Sequence, residues 1–369
     1  MVSLSAVAAK TGSKSVGIWL LIVAALVAGM VTLGGLTRLT GSGLSITEWH
    51  PVTGVVPPLG ESAWQSEFAK YRQIPQYRLE NSQMTLADFQ AIYWWEWSHR
   101  LLGRLVGFAF FLPFVAFVAT GAIARADYPR MLGLFALGGL QGFVGWWMVQ
   151  SGLETRVSVS QYRLAIHLGV AIILLGALLW AALDYLRARP PSALRAVPPV
   201  NGGRELNAQS LANWSLAFVA LVYVQMLLGA LVAGLHAGLI YNTWPSMNGR
   251  ILPEHPFFYR PWWSNFGEDA GLAQFDHRIG AYLVALAAMA LWTASRRAGA
   301  AAQRSADVVL GVTLLQIFLG ILTLLNQAPL GLAVLHQATA VALYASAVWH
   351  AHTLNAPFNT RPAPDPNRR

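Results

Sequence analysis

Apolar residues along this chain come in long unbroken runs, not in the alternating or one-sided patterns of a soluble fold. Runs near 17–39, 93–118, 131–150, 164–186, 212–236, 274–295, 307–326 and 331–353 are each long enough to cross a hydrocarbon layer of ~30 Å as a helix. Polar connections rich in Pro, Gly and charge separate them, long at 40–92 and 239–273 and shorter elsewhere. The pattern predicts an all-α integral membrane protein with eight transmembrane helices. Composition agrees: the chain is 55% hydrophobic and 11% charged, against about 25% charge for a soluble domain. The run at 17–39 is too long for a signal-peptide core, and no A-x-A site follows it, so it is expected to remain as the first helix.

Charge then sets the orientation. With the N-terminus inside, the inner segments hold fourteen Lys and Arg against five acids, which accounts for the whole net charge of +9. This bias places both termini in the cytoplasm, or in the mitochondrial matrix. A membrane surface explains it, and no nucleic acid partner is implied, because no basic stretch is interleaved with stacking aromatics. The chain has no cysteine. Disulfides, thiolate metal sites and c-type haem attachment are therefore excluded.

A long-range repeat organises the eight runs. LGGLTRLTGSGLSITEWHPVTGVVPP at 33–58 answers LGALVAGLHAGLIYNTWPSMNGRILP at 228–253, 195 positions later. WSHRLLG (97–103) answers FDHRIG (275–280), Gln141 with Gly145 answers Gln316 with Gly320, and LAIH (164–167) answers AVLH (333–336). The expectation is two parallel-repeat four-helix bundles, 1–186 and 212–353, related by an axis along the membrane normal. Residues 187–211 read as a cytoplasmic linker, and the Pro-rich 354–369 as a disordered tail.

The repeat selects four of nine histidines: His99 and His167, then His277 and His336. All are expected within the first two turns of helices running inward from the outer face. Bis-histidine haem is the simplest reading, because imidazole is a common axial ligand and a bundle interior holds a porphyrin. Zinc or copper would want further ligands, and interhelical hydrogen bonding is the plainer alternative. Arg100 and Arg278 suit haem propionates at the outer rim, or snorkelling to headgroups. His236 reads as structural, and His50, His255, His350 and His352 as solvated. Glu96 lies one turn before His99, where the second half has Gln274. That broken symmetry points to chemistry in one half and electron transfer in the other; a helix-end acid favoured by the dipole is the bland reading.

These residues together resemble the heme A synthase family: two four-helix halves, TGSGLSITEWHPVTG, EWSHR and AGLIYNTWP. NTWP and the lack of cysteine are similar to its proteobacterial and mitochondrial type. The resemblance implies an enzyme of the bacterial inner membrane. It would oxidise the C8 methyl of haem O to a formyl group, giving haem A for terminal oxidase assembly. It implies a resident haem b on His277 and His336, with Arg278 beside it. Substrate haem O would sit at His99 and His167 with Arg100, and Glu96 would serve the chemistry. Expected partners are membrane lipid, haem O synthase, an electron donor and a second copy of the chain. Some family members carry cysteines where Ile46, Val52, Tyr241 and Met247 stand here, so a thiol step is impossible in this chain. The competing reading is a di-haem b-type cytochrome carrying electrons between quinol and a partner.

Overall fold

The computed structural model describes residues 14–187 and 202–355. In chain order its helices are α1 (Lys14–Leu39), α2 (Glu61–Tyr71), α3 (Pro75–Leu79), α4 (Leu86–Ala119), α5 (Tyr128–Leu153), α6 (Gln161–Leu186), α7 (Gly202–Gly234), α8 (Asn265–Glu268), α9 (Ala270–Ser295), α10 (Ala300–Leu325) and α11 (Leu330–Asn355). Among the described residues eight of these are long and apolar enough to cross a membrane: α1, α4, α5, α6, α7, α9, α10 and α11. No strand accompanies them there. This is what a bilayer demands, since helices satisfy every backbone group within the segment.

Two bounds differ from the apolar runs, each for a local reason. α4 begins at Leu86, seven residues before its run, because Thr85 and Asp88 form a reciprocal capping box that starts the helix in polar sequence. His99 therefore lies more than three turns into α4, not within two. α7 begins at Gly202, so the helix takes up the last ten residues of the expected 187–211 linker. The expected tail beyond Asn355 lies outside the described residues, as does most of that linker.

α1 packs on α4 and α6, and α5 on α6; α7 packs on α9 and α11, and α10 on both α9 and α11. Across the middle, α6 meets α7 and α11, and α1 meets α11. The buried core runs through these central helices, from Val16, Leu20 and Val23 through Ile172, Leu175 and Leu178 to Val222, Tyr344 and Val348. Glycines let the helices approach closely. A Cβ at Gly169 of α6 would lie 2.7 Å from the Tyr223 hydroxyl of α7, and one at Gly176 would lie 2.6 Å from that of Tyr344 on α11. Close approach of this kind, not hydrophobic burial, holds helices together in lipid.

Outside the span, α2, α3 and the start of α4 form a small cap. Phe68, Tyr71, Phe89 and Tyr93 pack with Leu44 and Ile46 of the turn after α1. That packing fixes the 44–46 turn over the mouth of the first half, where it meets Glu96.

Candidate functional site

The four repeated histidines come together in two pairs. His99 (α4) lies against Gly34 of α1 and His167 (α6) against Gly145 of α5, so four helices of the first half surround this pair. The His277 (α9) and His336 (α11) rings are 6.4 Å apart between centroids and nearly perpendicular, at 86°. Each ring lies in a notch left by a glycine on a third helix. A Cβ built at Gly34, Gly145, Gly229 or Gly320 would lie 3.0, 2.8, 3.2 or 2.8 Å from Cε1 of His99, His167, His277 or His336 respectively. These are the glycines aligned by the repeat. Their selection has a steric cause, because any side chain there would push the imidazole out of place.

Glutamines line three of the rings. The Gln141 amide nitrogen is 3.1 Å from Nδ1 of His167, that of Gln225 is 3.0 Å from Nδ1 of His277, and that of Gln316 is 3.4 Å from Nε2 of His336. The oxygens of all three amides are buried without a partner, as are Nδ1 of His99 and Nδ1 of His336. Buried polar atoms are nearly always paired, so this concentration of orphans around four imidazoles marks a site built for something further. Gln225 was missed by sequence reading. Its position in the first half holds Met30, so the repeat alone gave no signal for it.

Glu96 is 3% exposed, and donors occupy both its oxygens. Oε2 accepts from Ser45 Oγ and from the Ile46 backbone N–H, each at 2.8 Å. Oε1 accepts from Arg100 Nε and Nη2 at 3.1 and 2.6 Å. Arg100 also donates to the carbonyls of Ile46 and Glu48, at 2.7 and 2.9 Å. One turn on, Arg104 donates to the carbonyls of His50 and Pro51, each at 2.8 Å. Arg100 and Arg104 thus clamp the loop after α1 to α4, and a cavity of about 260 Å³ lies over them, lined also by Glu48, His50, Glu67 and Tyr93. At its rim Lys70, and then His50, hold the Glu48 carboxyl below its usual range by hydrogen bonding.

The second half repeats the clamp with a different polarity. Arg278 donates to the Tyr241 carbonyl at 2.9 Å and to that of Ser246 at 3.3 Å. The Gln274 amide donates to Tyr241 at 3.2 Å and accepts from Arg278 at 3.4 Å. Glu96 only accepts, whereas Gln274 both donates and accepts, so the two positions are alike in place and unlike in chemistry.

Two histidines expected to be solvated are not. His350 is 0% exposed, 2.8 Å from Ser305 Oγ. His352 is 5% exposed and pairs with Asp184 at 2.9 Å while lying edge-on to Trp180. Both sit at the C-terminal end of α11, where packing against α10 and α6 covers them; a one-helix reading could not reveal that. His50 is exposed, beside Glu48. His236 has a left-handed backbone, φ 53°, at the turn after α7. Among the described residues no three His, Cys, Asp or Glu side chains cluster as an ion site.

Fold and site thus define a multi-pass membrane protein with paired, glycine-cradled histidines. The chain belongs to the COX15-CtaA family of cytochrome oxidase assembly proteins, whose model matches residues 17–348. It is 52% identical over 336 residues to the heme A synthase of Parvibaculum lavamentivorans, covering 91% of this chain and 93% of that one. It is 47% identical to the heme A synthase of Paracoccus denitrificans over 353 residues, 95% of this chain and 91% of that one. A heme A synthase of Rhodopseudomonas palustris matches at 47% over 350 residues, 93% and 91% of the two chains.

Proposed function

We propose that this chain is a heme A synthase: a multi-pass membrane oxidoreductase that converts the C8 methyl of haem O to the formyl group of haem A. The observation that carries this reading is the set of four buried imidazoles, paired and cradled by glycine, in a chain matching heme A synthases over nine-tenths of its length. Residues 1–186 and 212–353 act as two parallel-repeat bundles, the first catalytic and the second electron-carrying.

The second-half pair suits a resident haem b. Two metal–nitrogen bonds of ~2 Å each, with about an ångström more to each ring centre, separate bis-imidazole rings by about 6 Å, close to the 6.4 Å between His277 and His336. His277 and His336 would hold it, and the buried polar atoms left without a partner beside them, His336 Nδ1 and the Gln225 and Gln316 amide oxygens, mark the place as built for a further group. When bound, haem b supplies one-electron transfer to the first half. His99 and His167 hold the substrate haem. Arg278 and Arg100 stand at the outer rim of each site, with Arg100 keeping one of its five N–H donors beyond its four bonds.

Glu96 acts within hydrogen-bond reach of that rim. Its carboxylate holds Arg100 and the 45–48 turn in register over the site, and would be the acceptor for a proton lost from the reacting carbon. The reaction belongs in a bacterial inner membrane, with both termini cytoplasmic. Haem O synthase would supply the substrate, and two successive oxygen insertions would each take dioxygen as oxidant with two electrons from a separate donor and two protons, releasing water. The resulting gem-diol loses water to the formyl group. Self-association is compatible with the exposed outer helices.

Chromatography of haems extracted from the purified protein, expressed with haem O available, tests the function. Haem B together with haem O, a hydroxylated intermediate or haem A is expected; haem B alone would favour the di-haem cytochrome. Orientation is tested by reporter fusions. A fusion within 187–201 should report cytoplasmic and one within 56–60 external; the reverse result would remove the orientation.

A further inference from the structure

The two halves differ along one seam in a way their repeat makes measurable. On α4, Gly107 follows His99 by two turns on the same face; counted from His277, the matching position of α9 is Ala285. On α5, Gly138, Gly139 and Gly142 precede the His167 cradle at Gly145; the matching positions of α10 are Thr313, Leu314 and Ile317. A Cβ built at Gly107, Gly138, Gly139 or Gly142 would meet nothing within 4 Å. Thr313, by contrast, is buried. α9 and α10 pack along their length, whereas α4 and α5 touch sparsely. Their ring contacts are Phe110 and Phe111 on Phe135, at 6.0 and 5.6 Å, well inward of the histidines. The result is a glycine-lined opening toward lipid, floored by three phenylalanines. At its head are two buried unpartnered atoms, His99 Nδ1 and Gln141 Oε1.

Resting on the reading that His99 and His167 hold haem O, we infer that the α4–α5 seam is the binding slot for the isoprenoid tail of that substrate, entered sideways from the bilayer. Haem O carries such a tail and haem b does not. The half assigned to haem b has side chains at the same positions. Glycine suits an isoprenoid because a branched chain can lie directly on helix backbone, with no side chain to displace. Lipid is as apolar as the slot, so the open slot contributes orientation more than affinity, whereas a filled one leaves the tail no path past the helices and excludes it. A tail held between α4 and α5 turns the porphyrin so that one methyl edge, and not its neighbours, is presented to the catalytic rim.

The test fills the slot with the residues the second half already tolerates: Gly107→Ala, Gly138→Thr and Gly142→Ile together. Purified wild type and triple variant are titrated with haem O and with tail-less haem B, and low-spin spectra of the first-half site are followed. The variant should keep its resident haem spectrum and still take haem B, but lose haem O. Its haem A output should fall about a hundredfold, as expected when reacting atoms are misplaced by about an ångström. Equal loss of haem B and haem O would overturn the inference, as would haem O uptake and conversion like wild type. If His99→Ala takes up haem O as well as wild type does, the assignment of the substrate site fails instead, and the two failures are distinct.

Discussion

Replacing His277 or His336 with alanine is expected to abolish the low-spin b-type spectrum of the purified protein, or convert it to a high-spin form, while both variants still insert in the membrane. On the proposed reading each imidazole would supply one of the two protein bonds to the haem, so either loss would break the same site. Neither ring is needed to hold the helices together. α9 and α11 are fixed by α7 and α10 along their whole length, and the histidines touch glycine notches, not interlocking side chains. The alanine leaves a void beside Gly229 or Gly320, and large-to-small changes in a packed interior cost about 2–5 kcal/mol when the site cannot collapse. That cost is local, because membrane helices are held individually by the bilayer. Reduced-minus-oxidised difference spectra decide the matter. An unchanged low-spin band in both variants would mean that the second-half pair holds no haem.

Much of this could be read from the chain alone, because bilayer constraints act on sequence directly. Eight apolar runs became eight helices, and the repeat selected the four histidines together with the glycines that cradle them. What stayed hidden depends on contacts between distant segments. Arg100 looked free for a propionate, yet it spends four hydrogen bonds on Glu96 and on carbonyls about fifty residues earlier. The cap of α2 and α3 has no membrane signature and is held by aromatic packing around Tyr71 and Phe89. His350 and His352 looked like end-of-helix residues because burial by a neighbouring helix leaves no trace in their own helix. The glycines of the α4–α5 seam stand outside the matched positions of the repeat. Their meaning lies in what did not match: Gly138 against Thr313, and Gly142 against Ile317.

Glu96→Gln is expected to stop haem A formation and accumulate haem O or a partly oxidised product, with the resident haem spectrum retained. The presence of Gln274 in the second half suggests from sequence that an amide is harmless at this place. The hydrogen bonds argue otherwise. Gln274 faces a carbonyl, that of Tyr241, to which its N–H₂ donates. Glu96 faces only donors: the Ser45 hydroxyl, the Ile46 N–H and two nitrogens of Arg100. A glutamine there must turn its N–H₂ toward Ile46 or toward Arg100. The serine hydroxyl can rotate to accept, but the backbone N–H and the guanidinium cannot. Breaking a buried ion pair by removing one partner costs about 3–5 kcal/mol, enough to release the 45–48 turn and the Arg100 clamp without unfolding helices held in lipid. Arg100→Ala separates the two roles of the carboxylate. If Glu96 works only by holding the clamp, Arg100→Ala and Glu96→Gln should lower haem A alike. If Glu96 also receives a proton, Arg100→Ala should keep some turnover that Glu96→Gln lacks. The measurement is the haem profile of membranes making each variant with haem O supplied. Wild-type haem A in Glu96→Gln would reduce this carboxylate to a helix-end charge and leave the asymmetry with Gln274 without a catalytic meaning.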